Sequence, residues 1–172
     1  MRTDLVDLII NDYPSFERIH EENSDIEISE ADFSHCVLQD CDFSNIDFST
    51  SSFQEANLSN INFTDCDLTS VDFSRATVTE CDFTGAILNG TSFNYATVSF
   101  CNFSDADMAG CNLSEADLSD SDFSTSENLD SCRFDESTTW PDNEKLPEDF
   151  DCSYNYDLSS LREEEEGQQE VY

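Results

Sequence analysis

The sequence predicts an all-β fold, a four-sided β-solenoid with short helical caps, and three observations predict it. From Ile26 to Thr125 the chain divides without a gap into twenty blocks of five residues, each centred on Phe, Leu, Ile, Val or Met. The first residue of every block is Ala, Cys, Ser, Thr, Val or Ile, and the other three are nearly all polar. Aligned at twenty residues, the central positions fall into columns of like residues. Self-similarity at a fixed period is the mark of a repeat architecture, in which each unit buries its apolar side against its neighbours.

A period of five fits neither a helix face, near 3.6, nor the alternation of a strand, 2. A helix would scatter the Phe residues around its circumference. A chain that turns a corner every five residues satisfies the pattern: the small first residue and the large central one point inward, and the residue between them points out. Four blocks per coil put Phe43, Phe63, Phe83, Phe103 and Phe123 in one column, the structural core of the rod. Phe33, Phe53, Phe73, Phe93 and Leu113 form the opposite column. Leu38, Leu58, Val78, Val98 and Leu118 make an aliphatic column between them, and Ile28, Phe48, Leu68, Leu88 and Met108 a mixed one. Five to six coils at the spacing of a backbone ladder give a rod of about 27 Å.

Blocks such as ADFSH, ANLSN and ADLSD resemble the pentapeptide-repeat family, whose consensus is Ala-Asp/Asn-Leu-x-x. The resemblance implies a right-handed quadrilateral β-helix. It covers the whole of 26–125, and Cys in place of Ala, like Phe at the centre, is a common family variant.

An open solenoid end exposes core and unpaired backbone, so atypical caps are expected. Residues 1–25 are expected to form the N-terminal cap, a short helix N-capped by Thr3, apolar along Leu5, Val6, Leu8, Ile9 and Ile10, and stopped by Pro14. The solenoid is expected over 26–136. Near its end the register slips by one residue, with Leu129 and Phe134 where 128 and 133 were due, which predicts a bulge on a sixth, incomplete coil. A C-terminal cap is expected over 137–161, where FDESTTWP resembles a closing segment of the family and Trp140 covers the last coil. Tyr154, Leu158 and Leu161 then fall at helical spacing, and 162–172 is expected to be a disordered acidic tail.

Charge and cysteine usage bound the function. Forty acids against six bases leave a formal charge of −34. Such a surface repels phosphates and anionic lipid, which excludes direct nucleic-acid and membrane binding and points to a protein partner with a basic surface. No apolar run approaches a membrane span, and a cytoplasmic protein is expected. Cys36, Cys41, Cys66, Cys81, Cys101 and Cys111 occupy the inward first position, and Cys132 holds it in the slipped register. This pattern reads as core packing by free thiols rather than as a metal site or a disulfide set, and it fits a reducing compartment. No catalytic, cofactor or metal site is expected: His20 and His35 are the only histidines, no Gly-rich phosphate loop exists, and a Phe-packed solenoid leaves no cleft.

The functional lead is the acidic surface. Glu27, Asp47, Asp67 and Asp107 form one outward column, broken by Ile87, and Asp42, Asp82 and Asp122 alternate with Asn62 and Asn102 in another. Stacked like charges repel, so stability is expected to rise with salt and on mild acidification. A non-enzymatic protein-binding scaffold is the first expectation. The second, drawn from the quinolone-resistance members of the family, is a DNA mimic that occupies the DNA saddle of a type II topoisomerase such as gyrase. A rod this short would reach that length by homodimerising through the C-terminal segment. Acids are denser outside the repeats than on them, which fits adaptation to salt equally well. Ile87, Tyr95 and Phe100, apolar at outward positions of the fourth coil, mark a further contact surface.

Overall fold

Each block forms one short extended segment and one corner, and backbone bridges join residues twenty apart from Glu27↔Asp47 through Asp107↔Glu127. The structure is a computed structural model that describes residues 2–22 and 26–153. Within them the chain winds as a right-handed quadrilateral β-helix. On three sides the central carbonyl accepts the N–H three residues on, as Phe63 does from Cys66 at 3.2 Å. The fifth residue of the block is left-handed here, as at Asn45 (φ 61) and Asp65 (φ 55), and also on the remaining side, as at Asp40 (φ 57). A tight turn with positive φ at its third residue favours Gly, Asn and Asp, and these types recur at the fifth position.

The fourth side, centred on the aliphatic column, differs. Here three residues pair in register, giving β1 (Val37–Gln39), β2 (Asn57–Ser59), β3 (Thr77–Thr79) and β4 (Thr97–Ser99), a parallel sheet in the order β1-β2-β3-β4. Its β-branched and aliphatic centres suit a pleated surface.

The core is built on two stacked phenylalanine columns. Ring centroids are 5.0 Å apart between Phe63 and Phe83 and 4.8 Å between Phe83 and Phe103, with planes within 12°. The facing column stacks Phe53, Phe73 and Phe93 at 5.1 and 5.0 Å. Across the interior the columns meet edge to face, Phe73 with Phe83 at 6.2 Å and 88°. Offset stacking along the rod and edge contacts across it are the two arrangements the ring quadrupole favours.

The N-terminal end differs from the expectation of one helix stopped by Pro14. There are two helices, α1 (Arg2–Asn11) and α2 (Tyr13–Glu22). Thr3 lies within α1 rather than ahead of it, and Pro14 sits in the first turn of α2, where a missing N–H costs nothing. Ile9 of α1 is buried in the core and Leu5, Val6 and Leu8 pack against it, but Ile10 is exposed. Helix α2 closes the open edge above Phe43. Phe16 is fully buried on that ring, the Tyr13 hydroxyl receives the Asp42 N–H, and His20 Nε2 meets the Ser44 carbonyl at 2.8 Å. These backbone groups would otherwise face a missing coil.

At the other end the sixth coil is four-sided rather than incomplete. One residue is added at successive corners, so that Leu113 N–H reaches Arg133, Leu118 reaches Thr139 and Phe123 reaches Lys145. The 3₁₀ turn Leu129–Ser131 absorbs the first addition. Leu129, Phe134 and Leu146 are buried beneath the fifth coil, and Trp140 packs on Phe134 and Phe150 at 5.2 and 4.9 Å. The ladder therefore runs past residue 136, the boundary expected for the solenoid. Tyr154, Leu158, Leu161 and the acidic tail lie outside the described residues.

Phe83 touches four rings, two above and below and two across. Replacing it by Ala should destabilise the fold by about 3–5 kcal/mol, measured by denaturant melts. An unchanged midpoint would contradict a core that transmits load through this column.

Candidate interaction surface

The two acidic columns lie on adjacent faces, and the backbone explains why acids stand there. At most turned corners the N–H of the block's fourth residue has no ladder partner, and the side chain of the second residue takes it. Ser44 donates to Asp42 at 3.0 Å, Ser49 to Asp47 at 2.8 Å, Thr69 to Asp67 at 2.9 Å, Thr84 to Asp82 at 3.0 Å and Ser124 to Asp122 at 2.9 Å. Asn62 and Asn102 do the same for Thr64 and Ser104. A short acceptor is what the turn needs. The charge is additional.

Within the column that holds Asp42, Asp82 and Asp122, amides separate the carboxylates. Asn62 donates to Asp42 at 2.9 Å and Asn102 to Asp82 at 3.3 Å. In the neighbouring column Glu27, Asp47 and Asp67 are successive rungs without an intervening amide, then come Ile87 and Asp107. At the corner between the two faces Gly85 makes room for Asp65, whose carboxylate oxygen would lie 2.5 Å from any added Cβ. On the other flank of the Asp42 column an open groove of about 390 Å³ is lined by Asp40, Asp42, Asn60, Asn62, Glu80 and Asp82. Asp32 shows the effect of the turn on titration: the Ser34 hydroxyl and N–H hold its carboxyl below the ordinary value. A carboxylate so depressed supports the fold at neutral pH and loses that support as pH falls through its folded pKa. At this position the sign is opposite to the expected gain on acidification.

The face carrying β1–β4 bears no charge at all. Its outward residues are Val37, Gln39, Asn57, Ser59, Thr77, Thr79, Thr97 and Ser99. The ladder here pairs the second, third and fourth residues of each block, so no carboxylate is called for at the second position. Tyr95 and Phe100 stand at the two corners that bound this face in the fourth coil, 46% and 63% exposed, and Val37 on its first strand is 75% exposed. Ile87 is on the opposite face, so the three apolar residues singled out in the sequence do not form one patch. Val37 was missed, although an uncharged second-position column (Val37, Asn57, Thr77, Thr97) was there to be read. The corner before β1–β4 carries His35, Glu55, Arg75 and Tyr95 on successive rungs, with His35 Nδ1 3.3 Å from Glu55 and Arg75 4.9 Å over the Tyr95 ring.

The groups able to do chemistry are held inside the fold. Cys41, Cys66, Cys81, Cys101, Cys111 and Cys132 are buried free thiols, Cys36 is half-buried and Cys152 exposed. Many back-bond to carbonyls of the preceding coil, as Cys66 does to Phe43 at 2.9 Å and Cys111 to Leu88 at 3.0 Å. Burial pushes the Cys36 and Cys41 thiols up to about 11 and Cys66 to about 12. The Cys101 sulfur and burial together raise Cys81 further. Among the described residues no three of His, Cys, Asp and Glu are grouped so as to hold a metal ion.

A family profile described as pentapeptide repeat region matches residues 16–83, and one described as pentapeptide repeats (8 copies) matches 86–125 and 101–137. Among solved structures the chain is similar to the pentapeptide repeat protein Rfr23 of the cyanobacterium Cyanothece 51142. The identity is 18%, over 74% of this chain and 98% of that one, with a TM-score of 0.65. A pentapeptide repeat protein of the Arabidopsis thaliana thylakoid lumen matches at 25% identity, 57% and 71% coverage and a TM-score of 0.45. QnrB1, a plasmid-mediated fluoroquinolone resistance protein, matches at 18% identity, 86% and 92% coverage and a TM-score of 0.31. No curated protein matches the sequence.

If the turn rather than the charge needs Asp82, Asp82→Asn should melt within about 0.5 kcal/mol of the parent. Asp82→Ala should lose about 1 kcal/mol through the orphaned Thr84 N–H. Equal losses in both variants would make the charge itself structural. For the thiols, only Cys152 should react promptly with a disulfide reagent at neutral pH. Folded Cys36 and Cys41 keep their protons to about 11, whereas unfolded thiols lose them near 9. Stability should therefore be full below pH 9 and decline as pH rises toward 11, seen as a falling melting temperature.

Proposed function

The chain belongs to the pentapeptide-repeat family, and from that premise we propose that it is a non-enzymatic protein-binding scaffold whose partner presents a basic surface. The observation that carries this reading is the pair of acidic columns on adjacent faces, each aspartate in them oriented by a backbone N–H. Carboxylates fixed in this way lose little rotamer freedom on binding, so Lys and Arg side chains of a partner gain more of the Coulomb attraction. The long-range field of a chain at −34 adds steering that falls with ionic strength. Absence of enzymatic activity is supported by the placement of the reactive groups: His20 closes a backbone edge, His35 pairs with Glu55, and most thiols fill the core. Free thiols support a reducing, cytoplasmic setting. Among the described residues no helix is long and apolar enough to cross a membrane.

A second reading rests on the same columns. Negative charge repeated at fixed intervals along two faces of a rod is what a DNA-binding enzyme meets on a nucleic-acid backbone, so a type II topoisomerase is a candidate partner, inhibited or protected by occupation of its DNA site.

Replacing Asp42, Asp82 and Asp122 together by Asn removes three charges while keeping the turn acceptors. The variant should fold normally and lose partners that a wild-type pull-down from host lysate retains at low salt and releases at high salt. Retention of the same partners by the triple variant would reject the acidic surface as the binding site. Supercoiling assays with purified gyrase separate the two readings: DNA mimicry requires inhibition that the triple variant lacks.

A further inference from the structure

We propose that the uncharged β1–β4 face is a self-association surface, on which a second copy of this chain packs face to face with its rod axis reversed. The partner is identified by the charge pattern at the margins of the face. A two-fold axis along the strand direction, midway between the second and third rungs, lays β1 over the copy's β4 and β2 over its β3. Along one margin this register sets Glu55 level with the copy's Arg75 and His35 level with its Tyr95. Along the other it sets Asn60 level with Glu80 and Asp40 level with Phe100. Between the margins Val37 lies level with Thr97, and Asn57 with Thr77. No like charges stand opposite one another, and every pairing occurs twice, as an isologous interface requires.

The register is selective. Moving the axis half a rung one way sets Glu55 on Glu55. Moving it half a rung the other way sets Arg75 on Arg75 and Glu80 on Glu80. The four rungs that overlap are also the four on which this face is uncharged, since the next rung brings Asp117. The exposed Val37, Tyr95 and Phe100 all fall within the overlap, and covering them removes apolar surface from water. For a chain at −34, contact through a face without charge avoids setting carboxylates directly against carboxylates. Sheets stacked across one solenoid are separated by about 10 Å. The face that carries Glu27, Asp47, Asp67 and Asp107 is thus turned away from the copy by more than the Debye length of about 8 Å at physiological salt.

Four rungs span only about 19 Å, which makes the contact small and the dimer weak, populated at high protein concentration. The surface is separate from the acidic columns and does not depend on the partner proposed above. Sedimentation equilibrium of the full chain at physiological salt, from micromolar to millimolar concentration, tests it. The wild type should shift from monomer toward dimer mass. Val37→Asp and Arg75→Glu, both exposed positions, should stay folded and remain monomeric, and the charge swap R75E with E55R, which keeps unlike charges on the two rungs, should restore the dimer. A wild type monomeric throughout would overturn the proposal. So would a dimer that survives Val37→Asp and Arg75→Glu, which would place the contact elsewhere, as at the C-terminal segment.

Discussion

The parallel backbone ladder, with its spacing of about 4.8 Å, is the constraint from which the rest of this structure follows. Because each coil returns after twenty residues, every side chain has a counterpart directly above and below it. Inside the rod this forces identical apolar residues into columns, and aromatic rings suit such columns because their stacking distance is near the ladder spacing. Outside, the same repeat forces polar residues into columns, where identical charges are unfavourable neighbours. The molecule resolves the second problem differently on different faces: amides alternate with carboxylates on one, and a basic residue and aromatic interrupt the acids at one corner.

The turned corners tie acidity to geometry. A side-chain acceptor serves the turn at most corners where the chain leaves the ladder early, and Asp, Asn and Ser all act as one. Where the ladder continues through the fourth residue, the need vanishes and Val, Asn or Thr takes the position. The acidic faces and the uncharged face are therefore two outcomes of one local choice between turn geometries. Charge beyond that need, as where Asp rather than Asn is used, is what selection for a partner or for a saline medium could act on.

The ends show what a solenoid requires beyond its repeats. At the start a tyrosine hydroxyl and a histidine nitrogen substitute for the backbone groups of an absent coil, and Phe16 extends the phenylalanine column by one ring. At the finish the last coil widens residue by residue, and Trp140 and Phe150 fill the space so gained. Both devices join the end groups to the core without prolonging the repeat, which leaves no regular edge for further strands at these positions.

The sequence by itself determined the coil, its four sides, the inward columns and the inward placement of most thiols, because a period of five with apolar centres fits neither a helix nor a strand and is met by a chain that turns a corner every five residues. It also determined which residues share a column, since spacing along the chain becomes spacing along the rod. It did not determine the second helix of the N-terminal cap, because a proline permits both the end and the beginning of a helix and only packing of Phe16 on Phe43 decides between them. Nor did it determine the completed sixth coil, whose added residues break the period that made the other five legible. The uncharged column was legible in the alignment, but why one face lacks carboxylates was decided by tertiary structure. Whether a fourth-position N–H belongs to a turn or to the ladder depends on the coil above and below, and no single block records it.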